Sequence, residues 1–248
     1  PLLRAQSCRL CTGCSGTSGA RVFDWLLDVY NYRVVADYAG TFAFGVWRTV
    51  WISAVSLVAA LVLGTGIALM RRSRRRLARW PATVYVEALR GTPLLVQIYL
   101  VYYGLPEIPL LGRRLDELEG GVLALSVHTA AYMAEIIRAG IGSVPEGQAE
   151  GARSVGMTRW QTLRYVVLPQ AFANATPPVI GQTAVLIKDS SLLSIIAVFE
   201  TMSAGLRLMS DRYMPNEAFL TSAACFLAIY AVMLGVSNLV QRRLGGAT

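Results

Sequence analysis

The sequence has few of the residues on which nucleotide binding and hydrolytic chemistry depend. Lys188 is the only lysine among 23 basic residues, and His128 is the only histidine. A phosphate-binding P-loop needs Gly-Lys-Ser/Thr, but Lys188 follows Ile187, so this motif is absent. A zinc-protease HExxH motif needs two histidines, and a Ser-His-acid triad would have to use a histidine inside an apolar stretch. The composition therefore excludes ATP binding through a P-loop and argues against a hydrolase.

Charged residues are also scarce, at 15% of 248 residues, while 54% are hydrophobic. Ordinary soluble domains have roughly 25% charged residues. The hydrophobic residues come in long blocks, and residues 49–70 and 218–240 contain no charge. As helices rising about 1.5 Å per residue, both blocks can cross a hydrocarbon core of roughly 30 Å. The composition therefore predicts an integral membrane protein.

Three further apolar blocks are interrupted by charged residues or proline. Charges inside a span cost about 2.5–3.5 kcal/mol each on insertion scales, so they usually face protein or water. We predict an all-α integral membrane protein with one domain, residues 41–243, and five transmembrane helices. The predicted spans are 47–70, 81–105, 120–138, 168–199 and 216–240.

The distribution of arginine predicts the orientation of the chain. Arginines are concentrated at 71–79, between residues 138 and 164, and at Arg242 and Arg243. Positive charge favours the cytoplasmic side, so these segments and the C-terminus are predicted to be cytoplasmic, with the N-terminus outside. The run at 71–79 is also compatible with a lipid-headgroup or nucleic-acid patch, but a basic run directly after a span most often determines topology.

Residues 1–40 are predicted to form a tail and an aromatic interfacial segment, and residues 244–248 a short C-terminal tail. Cys8, Cys11 and Cys14 have the spacing with which an iron–sulfur cluster motif begins, but the fourth cysteine and the following proline are missing. We therefore expect a disordered tail in preference to a metal site.

The connection 140–167 is too polar to span a membrane and contains the signals of a short helix. Pro145 suits a first helical turn, and Glu146 and Glu150 favour the positive end of a helix dipole. Gly156 can adopt the left-handed conformation that ends a helix. The pattern predicts a short helix that stops at a glycine turn.

A second helix is predicted directly after this turn, because Thr158 and Gln161 have the spacing of a capping box. Helix, glycine turn and helix also describe a DNA-binding helix-turn-helix. A recognition helix that enters the bilayer near residue 168 could not lie in a major groove, so DNA binding is disfavoured. A helix that docks on another protein fits better.

These residues resemble the EAA signature of membrane subunits of bacterial ABC importers. The matching residues are Glu150, Gly151, Ala152, Gly156, Val166, Leu168 and Pro169. Gly151 stands where the family usually has alanine, and Val166 where it usually has isoleucine. The resemblance implies the type I importer permease fold, in which the helix before the glycine is a coupling helix that docks in a groove of the ATP-binding subunit. The implied docking residues are Glu146, Gly147, Glu150, Gly151, Ala152, Arg153 and Gly156.

Three more segments, 87–97, 131–138 and 186–192, are similar to the polar amino acid permeases of the histidine, glutamine, arginine and opine group. The resemblance implies a permease that moves polar amino acids into the cytoplasm by alternating access. It also implies two ATP-binding subunits carrying ATP and Mg, a second permease subunit, identical or related, and a solute-binding protein. No cofactor on this chain and no nucleic-acid partner are expected, and the implied location is the bacterial cytoplasmic (inner) membrane. The alternative is a channel or secondary transporter that works without ATP.

Lys188 and Asp189 are the first candidates for the substrate pathway. An adjacent cation and anion suit the carboxylate and ammonium groups of an amino acid. Pro177 and Pro178 are expected to break the preceding helix at a place where a solute could bind. An internal ion pair that holds the broken helix is an equally good interpretation of the two charges.

The remaining polar residues in the predicted spans are weaker candidates. Gln97, His128 and Glu135 are assigned to the pathway, although a histidine in an apolar stretch is more often a hydrogen-bonded core residue. Glu87 and Arg90, at i and i+3, are predicted to form a structural ion pair on one helical face.

Overall fold

The computed structural model describes residues 30–108 and 114–245, and within these ranges the chain forms helices and turns without a strand. The cysteines of the N-terminal tail and the aromatic segment up to residue 29 lie outside the described residues. The α-helices are α1 (Tyr32–Asp37), α2 (Ala39–Arg71), α3 (Arg76–Gly91), α4 (Leu94–Tyr99), α5 (Glu117–Gly142), α6 (Glu146–Ser154), α7 (Arg159–Thr162), α8 (Leu168–Asp189), α9 (Thr201–Arg212) and α10 (Pro215–Gly245). Short π-helical turns at Leu100–Gly104 and Leu163–Val167 and 3-10 turns at Leu105–Glu107 and Ser190–Ile196 connect some of them.

Four helical stretches in the described ranges are long and apolar enough to cross a membrane: Ala39–Arg71, Glu117–Gly142, Arg159–Ile196 and Pro215–Leu239. They coincide with four of the five predicted spans. The remaining predicted span, residues 81–105, falls on α3 and α4, so the count of five spans stays a prediction.

The break between α3 and α4 follows from proline chemistry. Thr92 and Pro93 are both extended, with ψ of 146° and 137°. The ring of a proline disfavours the helical conformation of the residue before it, so Pro93 ends α3 at Gly91. Two short helices therefore replace one long helix.

Helix α5 lies at the centre of the fold, where it packs against α2, α3 and α8. The face of α2 that it contacts is built from small residues, including Ser56, Ala60, Gly64 and Ala68. A Cβ atom on Gly64 would lie 2.8 Å from the Cβ of Met133, so only glycine allows this approach. Small residues let two membrane helices come close enough for backbone and side chains to pack, which fixes α2 against α5.

Candidate functional site

Helix α6 has the start and the end that the sequence predicts. It begins at Glu146, directly after Pro145. At its other end the Gly156 N–H donates to the Arg153 carbonyl at 3.0 Å, and the Met157 N–H donates to the Ala152 carbonyl at 3.1 Å. This pair of bonds is the Schellman motif, and it requires the positive φ of 88° at Gly156. The predicted glycine turn is therefore confirmed as local structure.

The sequence-predicted docking residues are almost all on the surface. Glu146, Gly147, Glu150, Gly151, Arg153 and Gly156 are exposed. Ala152 is 8% exposed and faces the body of the protein. A Cβ atom on Gly147 or Gly151 would meet nothing within 4 Å. Helix α6 therefore has an open, exposed face of small residues with two carboxylates.

The turn into the next helix is capped as predicted. Thr158 N–H donates to Gln161 Oε1 at 2.8 Å, and the Gln161 N–H donates to Thr158 Oγ1 at 3.3 Å. These two reciprocal bonds are the capping box. Helix α7 then continues through the π turn Leu163–Val167 into α8 without a loop. Helix α7, which follows the glycine turn, is consequently continuous with a candidate membrane span.

One side-chain contact joins the end of α5 to α8, and a second joins α6 to α8. Asn174 Nδ2 donates to Ser143 Oγ at 2.9 Å, and Gln170 Nε2 donates to Gln148 Oε1 at 3.4 Å. Helices α5 and α8 also approach each other closely at Gly140 and Ala175. A Cβ atom on Gly140 would lie only 2.8 Å from the Cβ of Ala175. Helix α6 therefore contacts α8 through Gln148 and Gln170, and α8 is in turn packed against α5.

A shallow cavity of about 310 Å³ beside α6 was not predicted from the sequence. It is lined by Val155, Gly156, Met157, Gln161 and Tyr165. The side chains of Val155 and Tyr165 are 77% and 64% exposed. The sequence signal for it is the presence of apolar residues on both sides of Gly156 in an otherwise polar connection.

Glu135 is the centre of a charge network where α2, α3 and α5 end. Arg71 Nη1 donates to Glu135 Oε2 at 2.6 Å, and Arg138 Nε donates to the same oxygen at 3.1 Å. Arg71 also forms an ion pair with Glu87 at 3.5 Å. The side chains of Arg71 and Glu135 are only 13% and 25% exposed, so their pairing is poorly screened by water.

The predicted Glu87–Arg90 ion pair is wrong, because Glu87 is paired with Arg71. The Arg90 guanidinium lies over the ring of Tyr132 at 5.5 Å from the centroid. An i,i+3 pair on an exposed face contributes only a few tenths of a kcal/mol, so a partner from a neighbouring helix readily replaces it.

Gln97 and His128 are brought together and connect the α3–α4 break to α5. Gln97 Nε2 donates to the Leu89 carbonyl at 2.7 Å and to the Thr92 hydroxyl and carbonyl at 2.8 and 3.1 Å. The amide nitrogen is fixed by these three oxygens, so Oε1 is the acceptor in the 2.9 Å contact with His128 Nδ1. His128 therefore carries its proton on Nδ1. Both side chains are buried.

Lys188 and Asp189 lie together at the end of α8, away from the other polar candidates. Lys188 Nζ is 5.3 Å from the ring centroid of Tyr230 in α10. Among the described residues, Lys188 and Asp189 form no ion pair within 4.0 Å. The internal ion pair considered from the sequence is thus not formed, and no contact in the described ranges joins either residue to Gln97, His128 or Glu135.

The expected helix break at Pro177 and Pro178 is wrong. Helix α8 runs without interruption from Leu168 to Asp189 and includes both prolines. A proline inside a helix removes one backbone hydrogen bond and its ring clashes with the carbonyl four residues earlier, but its φ stays near the helical value. Membrane helices tolerate such losses where neighbouring groups satisfy the freed carbonyls. The pathway candidates therefore lie at the end of α8 and not at a break within it.

Glu200 is a buried carboxyl group that the sequence did not single out. It is 0% exposed. It caps the start of α9 by accepting hydrogen bonds from the N–H groups of Met202 and Ser203 at 2.7 and 2.8 Å. Burial raises the pKa of this carboxyl from an ordinary 4.5 to about 7, although the capping bonds oppose the shift. Its backbone lies against Gly45 of α2, where an added Cβ atom would be 3.0 Å from the Glu200 carbonyl oxygen.

Residues 41–246 match the family described as the inner membrane component of binding-protein-dependent transport systems. The chain is 34% identical to the probable glutamine ABC transporter permease protein GlnM of Bacillus subtilis (strain 168), over 86% of this chain and 97% of that protein. It is 42% identical to the octopine transport system permease protein OccM of Rhizobium meliloti, over 76% of each chain.

Solved structures agree with these relationships. A crystal structure of an amino acid ABC transporter with histidines matches with a TM-score of 0.80 and 33% identity, over 86% of this chain and 98% of that one. The MetNI methionine ABC transporter in an inward-facing conformation matches with a TM-score of 0.69 at 16% identity, which supports the fold alone. The predicted all-α fold of the type I importer permeases is confirmed.

The relatives carry the permease function, and the ATP-driven importer is favoured over the channel or secondary transporter that the sequence left as the alternative. The apolar helices agree with a multi-pass protein of the inner membrane. The chain belongs to the family of inner membrane components of binding-protein-dependent transport systems and is the permease subunit of an ABC importer, not an enzyme.

Proposed function

We propose that this permease imports polar amino acids and that its docking helix α6 transmits the motion of a separate ATP-binding subunit. The observation that carries the proposal is the exposed face of α6, which is joined through the Gly156 turn to the continuous helix of α7 and α8. The relatives named for glutamine and octopine transport support a polar amino acid, or a derivative of one, as the substrate.

The geometry of α6 supports docking in a groove of the ATP-binding subunit. The small side chains at 147 and 151 allow a partner backbone to approach, and Glu146 and Glu150 offer carboxylates to basic residues of that partner. Two copies of the ATP-binding subunit, each with ATP and Mg, would close together and move the docking helices. Contacts that differ between the closed and open states would then expose a central cavity to one side at a time.

The complete importer would contain a second permease subunit, identical or related, and a solute-binding protein on the outer side. The arginine-rich connection 71–79 supports an orientation with the N-terminus outside and the C-terminus inside. In this orientation the docking segment, residues 140–167, is cytoplasmic. In this orientation α8 runs from the docking segment toward the outer side and ends at Lys188 and Asp189.

Lys188 and Asp189 are proposed to contact the carboxylate and ammonium groups of the substrate. Lys188 is exposed and Asp189 is half-buried. In the described ranges neither charge is neutralised by an ion pair, so both are available to a zwitterion. Gln97, His128 and Glu135 have internal partners that favour a structural role, and a pathway role for them stays a prediction.

The docking proposal is tested with Glu150→Arg. This change places a cation where a carboxylate is offered, so the ATP-binding subunit should no longer co-purify with the permease and uptake should be lost. Glu107→Arg is the matched control, because Glu107 is also exposed but lies in the connection predicted to be outside. Normal co-purification and uptake with Glu150→Arg would contradict docking through α6.

The substrate proposal is tested with Lys188→Met and Asp189→Asn in the assembled transporter. Amino acid uptake should fall at least about tenfold, since a charge-assisted hydrogen bond contributes roughly 1.5–3 kcal/mol. The ATP-binding subunit should still co-purify, and Lys188→Arg should retain part of the activity. Unchanged uptake and unchanged amino acid preference in both variants would exclude these residues from the pathway.

A further inference from the structure

The first turns of α3 present apolar side chains outward. Leu77, Trp80 and Val84 recur at intervals of three and four residues and therefore lie on one face of the helix. They are 93%, 72% and 47% exposed. Ala82 and Val86, on the opposite face, are buried in the contact with the rest of the protein. The outward apolar stripe consequently has no covering partner within the described chain.

Five arginines border this stripe. They are Arg72, Arg74, Arg75, Arg76 and Arg79, and all are exposed. None of the five forms an ion pair with a carboxylate of the described residues, because the acidic groups nearby are paired with Arg71 and Arg138. The first turn of α3 contains no acidic residue either. The segment therefore carries a dense positive charge that the chain itself does not neutralise.

The position of the segment narrows its possible partners. Helix α2, the most apolar candidate span, ends at Arg71, so residues 72–80 lie where that helix leaves the bilayer. Tryptophan is enriched at this level of a membrane, and arginine pairs with phosphate through two parallel N–H donors. A surface that combines both is complementary to a lipid with a negatively charged headgroup.

We propose that residues 72–84 form a docking surface for anionic phospholipids. The five arginines bind the lipid phosphates, and Leu77, Trp80 and Val84 lie at the acyl boundary, where the headgroups meet the acyl chains. The occupant is a lipid of the leaflet at which α2 ends, which is the cytoplasmic leaflet in the orientation proposed above. Leu77 and Trp80 precede the predicted span 81–105, so neither that span nor a topology role of the arginines accounts for these two exposed apolar side chains. Bound lipid would hold the α2–α3 connection in place beside the charge network of Arg71 and Glu135.

The test measures which phospholipids the purified transporter retains. The complete importer is equilibrated in mixed micelles of phosphatidylglycerol and phosphatidylcholine, unbound lipid is removed, and the bound lipids are quantified by mass spectrometry. The wild type should retain phosphatidylglycerol in preference to phosphatidylcholine. Replacing the five arginines with glutamine should lower the affinity for phosphatidylglycerol at least about tenfold, because each cation near an anionic surface adds to the electrostatic attraction.

Two further variants separate the docking surface from the topology signal. Replacing the same arginines with lysine keeps the positive charge and should keep most of the preference, whereas Leu77→Ser with Trp80→Ser keeps every arginine and should still weaken retention several-fold. A reporter at the C-terminus checks that each variant has the wild-type orientation, independently of transport. Arg207→Gln with Arg212→Gln, in α9, is the control and should retain lipid like the wild type.

Four results would overturn the proposal. The first is unchanged retention of phosphatidylglycerol in the glutamine variant with wild-type orientation. The second is an equal loss in the Arg207 and Arg212 control, which would indicate nonspecific binding to a basic protein. The third is loss of the ATP-binding subunit from the glutamine variant without a change in lipid, which would assign the surface to a protein partner. Inorganic phosphate that displaces the lipid fully at millimolar concentration would likewise exclude a role for the acyl boundary.

Discussion

Alanine substitution should have opposite effects at Gly151, inside helix α6, and at Gly156, in the turn that ends this helix. Gly151 lies inside α6, and its missing Cβ would point into open space. Gly151→Ala should therefore stabilise α6 by about 1 kcal/mol, the difference in helix propensity between the two residues. Gly156 has the same open surroundings but a φ of 88°. Gly156→Ala should therefore destabilise the end of α6 by about 1–2 kcal/mol, because in the left-handed conformation the Cβ atom lies too close to the following carbonyl oxygen.

Hydrogen exchange of the α6 amides measures both changes directly. If α6 opens by local unfolding, 1 kcal/mol corresponds to a change of about fivefold in the exchange rate and 2 kcal/mol to about thirtyfold. Gly151→Ala should slow exchange and preserve uptake, whereas Gly156→Ala should accelerate exchange and reduce co-purification of the ATP-binding subunit. Gly156→Asn should recover part of the loss, because asparagine tolerates this conformation. Equal exchange and uptake in both alanine variants would refute the role of the glycine turn.

Three further predictions concern side chains with defined partners. The stability of each variant is measured by thermal or denaturant unfolding of the purified transporter. The pKa of Glu200 is raised to about 7 from an ordinary 4.5, so the stability that its protonated carboxyl contributes is fully present below pH 4.5 and is lost as the pH rises through about 7. The loss in the free energy of unfolding should reach about 3 kcal/mol. Glu200→Gln should flatten this pH dependence, and a pH profile identical to that of the wild type would contradict the prediction. Arg71→Met should lower the free energy of unfolding by about 2 kcal/mol, because Glu135 loses its partner at 2.6 Å. Adding Glu135→Met should restore part of that loss, whereas additive losses in the double variant would contradict a stabilising ion pair. Gln97→Met should lower the free energy of unfolding by about 1–3 kcal/mol, because the Leu89 carbonyl and the Thr92 hydroxyl at the α3–α4 break lose their hydrogen-bond donor. An unchanged free energy of unfolding would indicate that water replaces the amide.

Features that depend on neighbouring residues were predictable from the sequence. The start of α6 after Pro145, the left-handed Gly156 and the capping box of Thr158 and Gln161 are all confirmed. Each is decided by the conformational preference or hydrogen-bonding capacity of residues within a few positions, so the pattern of residue types is sufficient. The apolar blocks are equally local, and four of them coincide with helices long enough to cross a membrane.

Features that depend on tertiary packing were not predictable in the same way. Glu87 has an i+3 partner in the sequence, yet it pairs with Arg71, which another helix places beside it. Pro177 and Pro178 have helix-breaking character, yet the helix continues through both, as membrane helices can where neighbouring groups satisfy the freed carbonyls. The burial of Glu200 depends on the close approach of Gly45 in α2, more than a hundred residues away along the chain, and its sequence signal is only a carboxylate three residues before Ser203.

ATP-dependent uptake is the most direct measurement of the proposed import activity. The permease is reconstituted in vesicles with its ATP-binding subunit and solute-binding protein, and uptake of labelled polar amino acids is followed with ATP, without nucleotide and with a nonhydrolysable analogue. Uptake should require hydrolysable ATP and should disappear with Glu150→Arg. Uptake at the same rate without ATP would contradict an importer that is driven through helix α6.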